Sequence, residues 1–169
     1  MSKVDISVKE PPKKEKCWQQ SIKDFLFMLV QWTWALPVNL VGGLMFLFFT
    51  KIKGYRWQHF GYSKIVYVPW KGGGLSMGLF IFIKDNAKSK EWTYNCRIHE
   101  YGHTWQALLL GPLYYIVVAL PSVIWCNCFA GYRKKNNVPY SKLYCEGWAD
   151  AWGQKFSGLK QTESRKTKT

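Results

Sequence analysis

Acidic side chains are scarce in this sequence, which contains 10 aspartates and glutamates against 24 lysines and arginines and has a formal net charge of +14. This excess of positive charge predicts a partner of opposite sign, either anionic lipid headgroups or a nucleic acid. The motifs of nucleic-acid-binding domains are missing, since there is no zinc-finger spacing, no RNP signature and no heptad repeat behind a basic helix. We therefore expect a membrane with anionic lipid headgroups as a partner, and no nucleic acid.

The sequence contains five cysteines. Because this number is odd, they cannot all form disulfide bonds within the chain. Cys126-x-Cys128 has the spacing of half a metal site, but no second pair follows at a suitable distance. A cleavable secretory signal is not expected, because the apolar run behind the N-terminal arm is too long and lacks a small-residue cleavage site. We expect the cysteines to be reduced structural thiols.

Histidine is rarer still, and two of the three histidines lie in the segment His99-Glu100-Tyr101-Gly102-His103. Residues four apart on a helix lie on one face, so both imidazoles can bind a single metal ion. Two neutral imidazoles bind zinc without neutralising its charge, and the neighbouring carboxylate can take a proton from a zinc-polarised water. The segment predicts a catalytic zinc site with His99 and His103 as ligands and Glu100 as general base.

A catalytic zinc usually has a third protein ligand from another part of the chain. Six acids lie between Asp24 and Gln154, and three of them are Glu100, Glu146 and Asp150. Glu146 and Asp150 share one face of a predicted helix. We expect Glu146 to bind the metal and Asp150 to accept the free N–H of His103 or His99, which would fix the tautomer of that ring. The alternative for this pair is a solvated helix face.

The order His99-Glu100-x-x-His103 followed by Glu146-x-x-x-Asp150 resembles the gluzincin-type HExxH zinc metallopeptidases, including small membrane-associated members that cut proteins at or in the bilayer. The resemblance covers only the two helices of the site. It implies a Zn2+ cofactor and a peptide or protein substrate. It also implies that the strand before the metal helix, here Gly78–Ile83, lines the cleft and pairs with the substrate as an added strand.

Two broken apolar runs and an aromatic content of 18%, with ten tryptophans, favour a membrane-associated protein. The run Phe25–Thr50 is long enough to span a bilayer, but polar residues and one proline, Pro37, interrupt it. Basic residues on both sides favour a helical hairpin that turns at Pro37–Asn39, with a simple span or a buried helix pair as alternatives. At the second run, Leu113–Ala130, Glu146 can reach His103 if the chain turns at Gly111-Pro112 or Pro121, or if packing places the site well inside the membrane. We favour the turn. We therefore expect a re-entrant or interfacial helix and a site at the cytoplasmic face of the membrane.

The predicted fold class is α+β, a mainly helical membrane-associated domain with a small β-hairpin before the metal-binding helix. Lys64–Val68 and Leu79–Ile83 are rich in β-branched and aromatic residues, and a glycine-containing loop separates them. The metal helix is predicted from about Tyr94 to Leu110. The helix that carries Glu146 is predicted to end near Gly158, with Ser141 as its N-cap.

We expect one domain at residues 24–158, between a basic disordered arm at residues 1–23 and a basic disordered tail at residues 159–169. The predicted function is zinc-dependent hydrolysis of a peptide bond at or near the membrane surface. The alternatives are a non-catalytic, zinc-stabilised membrane scaffold and a basic membrane-surface adaptor. No residue is clearly placed to stabilise an oxyanion, and the weak candidates are His59, Tyr140 and Tyr144.

Overall fold

The structure, a computed structural model, describes residue 11, residues 18–85 and residues 89–162. Over these residues the chain is an α+β domain with six α-helices and one four-stranded sheet. The helices are α1 (Trp18–Gln31), α2 (Leu36–Leu47), α3 (Lys90–Leu110), α4 (Leu120–Asn127), α5 (Ala130–Lys135) and α6 (Tyr144–Ser157). The strands are β1 (Trp57–Phe60), β2 (Ser63–Val68), β3 (Gly74–Met77) and β4 (Phe80–Lys84).

The sheet differs from the predicted hairpin. Its strand order is β1-β2-β4-β3, and the two predicted strands, β2 and β4, are parallel neighbours. The hairpin prediction was wrong because the glycine-containing segment is itself a strand. That segment, β3, pairs antiparallel with β4 through a tight turn at Gly78, whose φ is +64°. The chain therefore enters β4 in the same direction as β2.

The sheet is buried on both faces, which explains the continuous apolar sequence of its central strands. Ile65, Tyr67, Ile81 and Ile83 pack with side chains of α3. The alternating residues of the same strands, Val66, Val68, Phe80 and Phe82, belong to a second cluster. Met45 of α2 and Phe49 of the π-helical extension Phe48–Ile52 pack against this cluster. Since successive side chains on a strand point to opposite faces, α3 covers one face and α2 with its extension covers the other.

In the described part of the chain, no single helix has both the length and the hydropathy to cross a bilayer. Two bent helix pairs meet the criterion only together, namely Trp18–Gln31 with Leu36–Ile52 and Lys90–Leu113 with Tyr115–Asn127. The first pair bends by 87°, in the segment before Leu36 rather than at Pro37–Asn39 as predicted. Pro37 lies in the first turn of α2, where its missing N–H leaves no helical hydrogen bond unmade.

The second pair bends by 119°, and the predicted turn at Gly111-Pro112 is confirmed. Gly111 has a φ of +54°, a left-handed conformation that suits glycine, and Pro112 cannot continue the hydrogen-bond ladder of α3. After the turn, a π-helical segment (Tyr115–Ala119) leads into α4. The bend directs the chain back, so that α6 packs along α3 in the most extensive helix contact of the domain.

Several predicted boundaries need correction. The metal helix begins at Lys90, four residues before the predicted start, because the Ser89 hydroxyl accepts a hydrogen bond from the N–H of Trp92 and caps it. Ser141 is not an N-cap, since it lies in a short 3-10 turn and α6 begins at Tyr144. The predicted end of α6 at Gly158 is confirmed.

Part of each segment that was predicted to be disordered is ordered. Residues 18–23 belong to α1, and residues 159–162 pack on α3, with Leu159 in the core. The Asn95 side chain holds this C-terminal segment through its hydrogen bonds with the main chain and side chain of Thr162. The rest of both predicted segments, residues 1–10, 12–17 and 163–169, lies outside the described residues.

Candidate metal centre

Helix α3 carries both histidines and Glu100 into the interior of the domain. His99, Glu100 and His103 are only 3%, 5% and 5% exposed. Helix α6 brings Glu146 to the same place, fully buried in its first turn. A buried carboxylate and two buried imidazoles require partners, because a polar group removed from water without one is costly.

The three predicted ligands converge, with their ligand atoms within 4.8 Å of one another. The Nε2 atoms of His99 and His103 are 3.2 Å apart, and Glu146 Oε2 lies 2.9 Å from the first and 3.6 Å from the second. Tetrahedral ligands held about 2.0–2.1 Å from zinc lie about 3.3 Å from each other. The spacing of the three atoms therefore fits one small metal ion.

The tautomers of the two rings follow from their other contacts. His99 Nδ1 is 2.8 Å from the Asp150 carboxylate, which can only accept, so His99 carries its proton on Nδ1. Asp150 thus has the predicted orienting role, and it acts on His99 rather than His103. Gln161 donates a second hydrogen bond to the same carboxylate oxygen at 2.8 Å.

His103 is oriented by Gln106, a residue that the sequence analysis missed. Gln106 donates from Nε2 to the carbonyl oxygen of Cys145 at 2.8 Å, so its Oε1 faces His103 Nδ1 at 2.7 Å as an acceptor. His103 therefore also carries its proton on Nδ1. The spacing of three residues on one helix was the available signal, because it places Gln106 on the face of His103.

With both protons on Nδ1, two Nε2 lone pairs and a carboxylate oxygen face one another without a hydrogen between them. Neither oxygen of Glu146 then has a hydrogen-bond donor among the described residues. Three buried acceptors at these distances repel unless a cation lies between them. The two imidazoles and the carboxylate therefore fit a metal ion.

The charge state of Glu146 agrees with this arrangement. Burial by itself raises the pKa of the Glu146 carboxyl, but the close approach of His103 and His99 outweighs burial, and the net pKa is lowered. The N-terminal turn of α6 also favours a negative charge there. Glu146 is therefore a carboxylate at neutral pH, as a metal ligand must be.

The metal centre forms the wall of a cleft with a volume of about 1020 Å³. The edge strand β3, α3, the region around Ser122 and the segment before α6 line this cleft, as do residues 160–162. Glu100 lies against β3, because a Cβ atom at Gly74 would be 2.2 Å from its Oε1. The general-base candidate is therefore positioned by the bare backbone of the cleft edge.

Of the three weak candidates for oxyanion stabilisation, only Tyr140 lines the cleft. Its ring centroid is 6.3 Å from that of His99, and its hydroxyl lies 3.2 Å from Ser122 Oγ. Burial, followed by the negative charge of Glu146, raises the pKa of Tyr140, so its hydroxyl keeps its proton. His59 is exposed on β1, outside the cleft.

The hydroxyls of two other tyrosines are already engaged. Tyr144 donates to the carbonyl oxygen of Val117, away from the cleft. Tyr114, which the sequence analysis did not consider, is buried beside His103 and donates to the Ser76 carbonyl at 3.0 Å. Tyr114 therefore fastens the β3 edge to the chain after α3, and its proton is not available to a ligand.

The cysteines play no part in this ligand set. Among the described cysteines, Cys96 and Cys145 are buried, Cys126 and Cys128 are exposed, and all four are free thiols. The burial of Cys145, followed by the charge of Glu146, raises the pKa of its thiol to about 12. A thiol with this pKa is protonated and unreactive at neutral pH.

Comparison with protein-family models, curated proteins and solved structures found no match to this chain.

Proposed function

We propose that this protein is a zinc-dependent peptidase that hydrolyses a peptide bond in the cleft beside His99, His103 and Glu146. The observation that carries the proposal is the convergence of two Nε2 lone pairs and one carboxylate oxygen, at separations of 2.9–3.6 Å, next to a second carboxylate in an open cleft. The second carboxylate is Glu100, which the ligand set does not need.

Zinc is the metal that this donor set favours. Two imidazoles and one carboxylate are typical of catalytic zinc, whereas magnesium and calcium prefer oxygen ligands throughout. Three protein ligands leave a fourth position, the arrangement of catalytic rather than structural sites. A bound zinc ion would supply Lewis-acid polarisation of a water and of a substrate carbonyl.

The chain's own residues supply the remaining chemistry. Glu100, one residue from a ligand and 5% exposed, takes a proton from the attacking water and passes it to the leaving amine. Tyr140 keeps its proton and donates a hydrogen bond to the oxygen on which charge develops. The β3 edge offers main-chain groups with which an extended peptide can pair. The resemblance implied this role for Gly78–Ile83, but β4 is paired on both sides within the sheet, and β3 lines the cleft instead.

The position of Glu100 favours an enzyme over a zinc-stabilised scaffold. A structural zinc site is closed by four protein ligands and needs no additional buried carboxylate beside it. Here a glutamate occupies a narrow space that only glycine at position 74 leaves free. Burying a charged group that makes no contribution to function would cost stability, which supports a catalytic role.

The substitution Glu100→Gln tests the proposal, with fluorescently labelled casein as an unfolded protein substrate. The variant should keep its zinc and lose casein cleavage by at least about 100-fold, since it has lost the general base. Glu91→Gln is the control, because this residue lies on the same helix and lines the same cleft, about 13 Å from Glu100 along the helix axis. Unchanged cleavage by Glu100→Gln, or zinc binding with no turnover in the wild type, would overturn the proposal.

A further inference from the structure

Helix α1 has its polarity reversed relative to a helix on the surface of a water-soluble domain. Three of its polar side chains contact the protein: Gln31 is fully buried, and Asp24 accepts hydrogen bonds from Gln20 and from the Tyr62 hydroxyl. Its first turns expose Gln19, Ser21 and Lys23 beside Trp18 and Ile22, but from Phe25 onward its outward face is apolar, and the exposed residues there are Phe25, Leu26, Met28, Leu29 and Val30. A helix that faces water normally shows the opposite arrangement.

Helix α2 repeats the reversal. Asn39 is fully buried, where it donates to Gln31 Oε1 and accepts from the N–H of Leu79, each at 2.7 Å. Apart from Lys51 near its end, the exposed residues of α2 and its extension are again apolar and include Leu36, Leu40, Val41, Leu44, Leu47, Phe48 and Ile52. Polar groups satisfied inside the protein and apolar groups outside are what a helix in contact with hydrocarbon requires.

A third apolar strip joins the first two. The exposed residues Leu109, Leu113, Ile116, Leu120, Val123 and Ile124 recur at intervals of three or four, so they form one side of the bent segment after α3. The Trp34 indole donates to the Leu109 carbonyl at 3.2 Å, and the Tyr115 hydroxyl donates to the Pro37 carbonyl at 3.1 Å. We call the exposed apolar residues of these three strips the apolar belt.

Over its second and third strips the belt is bordered by positive charge only. Residues 25–84 and 101–145 contain no aspartate or glutamate. Exposed lysines follow these two strips, with Lys51 and Lys53 after α2 and Lys134 and Lys135 after α4. Such a border complements an anionic headgroup layer, and the exposed tryptophans Trp32 and Trp34 suit the interface between headgroups and acyl chains.

We propose that the apolar belt docks into one leaflet of an anionic phospholipid bilayer and holds the domain at the membrane surface without crossing it. Helix α1 has 14 residues, about 21 Å, and the segment Leu36–Ile52 is about 25 Å long, so each is shorter than the ~30 Å hydrocarbon core. The buried polar residues of these helices, such as Gln31 and Asn39, face the domain. A position at the membrane interface leaves these polar groups inside the protein and places the exposed apolar side chains in hydrocarbon.

The belt reaches the cleft, which suggests a substrate class for the proposed peptidase. Val123 is 53% exposed in the belt and also lines the cleft near Ser122. A docked domain would therefore present the cleft close to the headgroups. The favoured substrate, if the proposed peptidase activity holds, is an extended segment that adjoins the membrane anchor of another protein.

Vesicle flotation tests the docking directly. Wild-type protein should float with vesicles of phosphatidylcholine and phosphatidylglycerol and bind pure phosphatidylcholine vesicles more weakly. The double variant Phe25→Asp/Leu44→Asp places two charges on residues that are 66% and 62% exposed, so it should fold and lose at least about tenfold in vesicle affinity. Lys155→Glu changes the net charge by the same amount on α6, outside the belt, and should float like the wild type.

The possible outcomes distinguish docking on a membrane from docking on another protein. They also test the docking proposal separately from the peptidase proposal. Wild-type protein that stays off both vesicle types, or a double variant that floats as well as Lys155→Glu, would overturn the docking proposal. A discrete oligomer that ignores vesicles and is dissolved by the double substitution would make the belt a protein interface instead. Flotation should be the same for Glu100→Gln as for the wild type, because Glu100 lies outside the belt. Wild-type protein that floats and binds zinc but cleaves no casein would refute only the peptidase proposal.

Discussion

The backbone of Gly102 lies directly against the carbonyl oxygen of Ala149, so close that a Cβ atom at Gly102 would be 1.9 Å from that oxygen. One turn earlier the relationship is reversed, and a Cβ at Gly153 would be 1.9 Å from the Ile98 carbonyl. These two glycines let α3 and α6 approach until their backbones touch. The approach places Glu146 within reach of both histidines.

The substitution Gly102→Ala should force the two helices apart and disrupt the metal centre. Overpacking of this kind costs about 1–3 kcal/mol of stability, and the displaced carboxylate should reduce zinc affinity as well. Thermal unfolding with and without zinc measures both effects. Gly131→Ala is the matched control, because a Cβ there meets nothing within 4 Å and should leave both quantities unchanged. Equal zinc affinity in the two variants would contradict the proposed role of the close approach.

The substitution Gly74→Ala should impair catalysis without removing the metal. The new methyl group would collide with the Glu100 carboxylate, whereas the ligands lie on α3 and α6 and keep their positions. We expect casein cleavage to fall by at least about tenfold while zinc content stays the same. Gly73→Ala is the control, since its nearest contact would be 3.9 Å away, at Trp92. Loss of zinc in Gly74→Ala, or equal cleavage by both variants, would show that Glu100 is not positioned in this way.

The clustering of the candidate ligands was predictable because helical geometry is local and their residue types are rare. His99, Glu100 and His103 needed only the spacing of one helix, and the scarcity of acids singled out Glu146 and Asp150. Chain connectivity predicted a turn at Gly111-Pro112 or at Pro121, and the structure has it at the first.

The orienting glutamines and the topology of the sheet were not predictable, because they depend on tertiary contacts that leave little trace in the sequence. Gln106 and Gln161 are ordinary polar residues until the fold places them beside His103 and Asp150. The edge strand β3 was not predicted because it has only four residues, begins with a glycine and ends at a tight turn. A segment of this kind resembles a loop. The parallel pairing of β2 with β4 followed from that missed strand.

The substitution Asp150→Asn should weaken zinc binding through the His99 tautomer. An asparagine can turn its NH2 toward Nδ1 and thereby favour a proton on Nε2, the atom that must bind the metal. Loss of such an orienting carboxylate typically costs about 10–100-fold in metal affinity. Competition with a chromophoric chelator measures this affinity. Asp85→Asn, which removes a carboxylate from an exposed ion pair with Arg56, should leave it unchanged, and equal affinities would contradict the assignment.

The substitution Tyr140→Phe should lower kcat with little effect on zinc content or KM. Removal of one oxyanion donor typically costs about 100–1000-fold in kcat. Tyr144→Phe serves as the control because its hydroxyl bonds to a main-chain carbonyl away from the cleft. If the two variants cleave casein equally well, the oxyanion-stabilising group lies elsewhere.

The metal content of the purified protein tests the central claim most directly. Wild-type protein, purified in detergent, should contain about one zinc per chain by elemental analysis, in keeping with a single site of three ligands. His103→Ala and Glu146→Gln should each lose the zinc or bind it far more weakly. A wild-type protein that takes up no zinc even after its addition, or a Glu146→Gln variant that keeps it fully, would contradict the account.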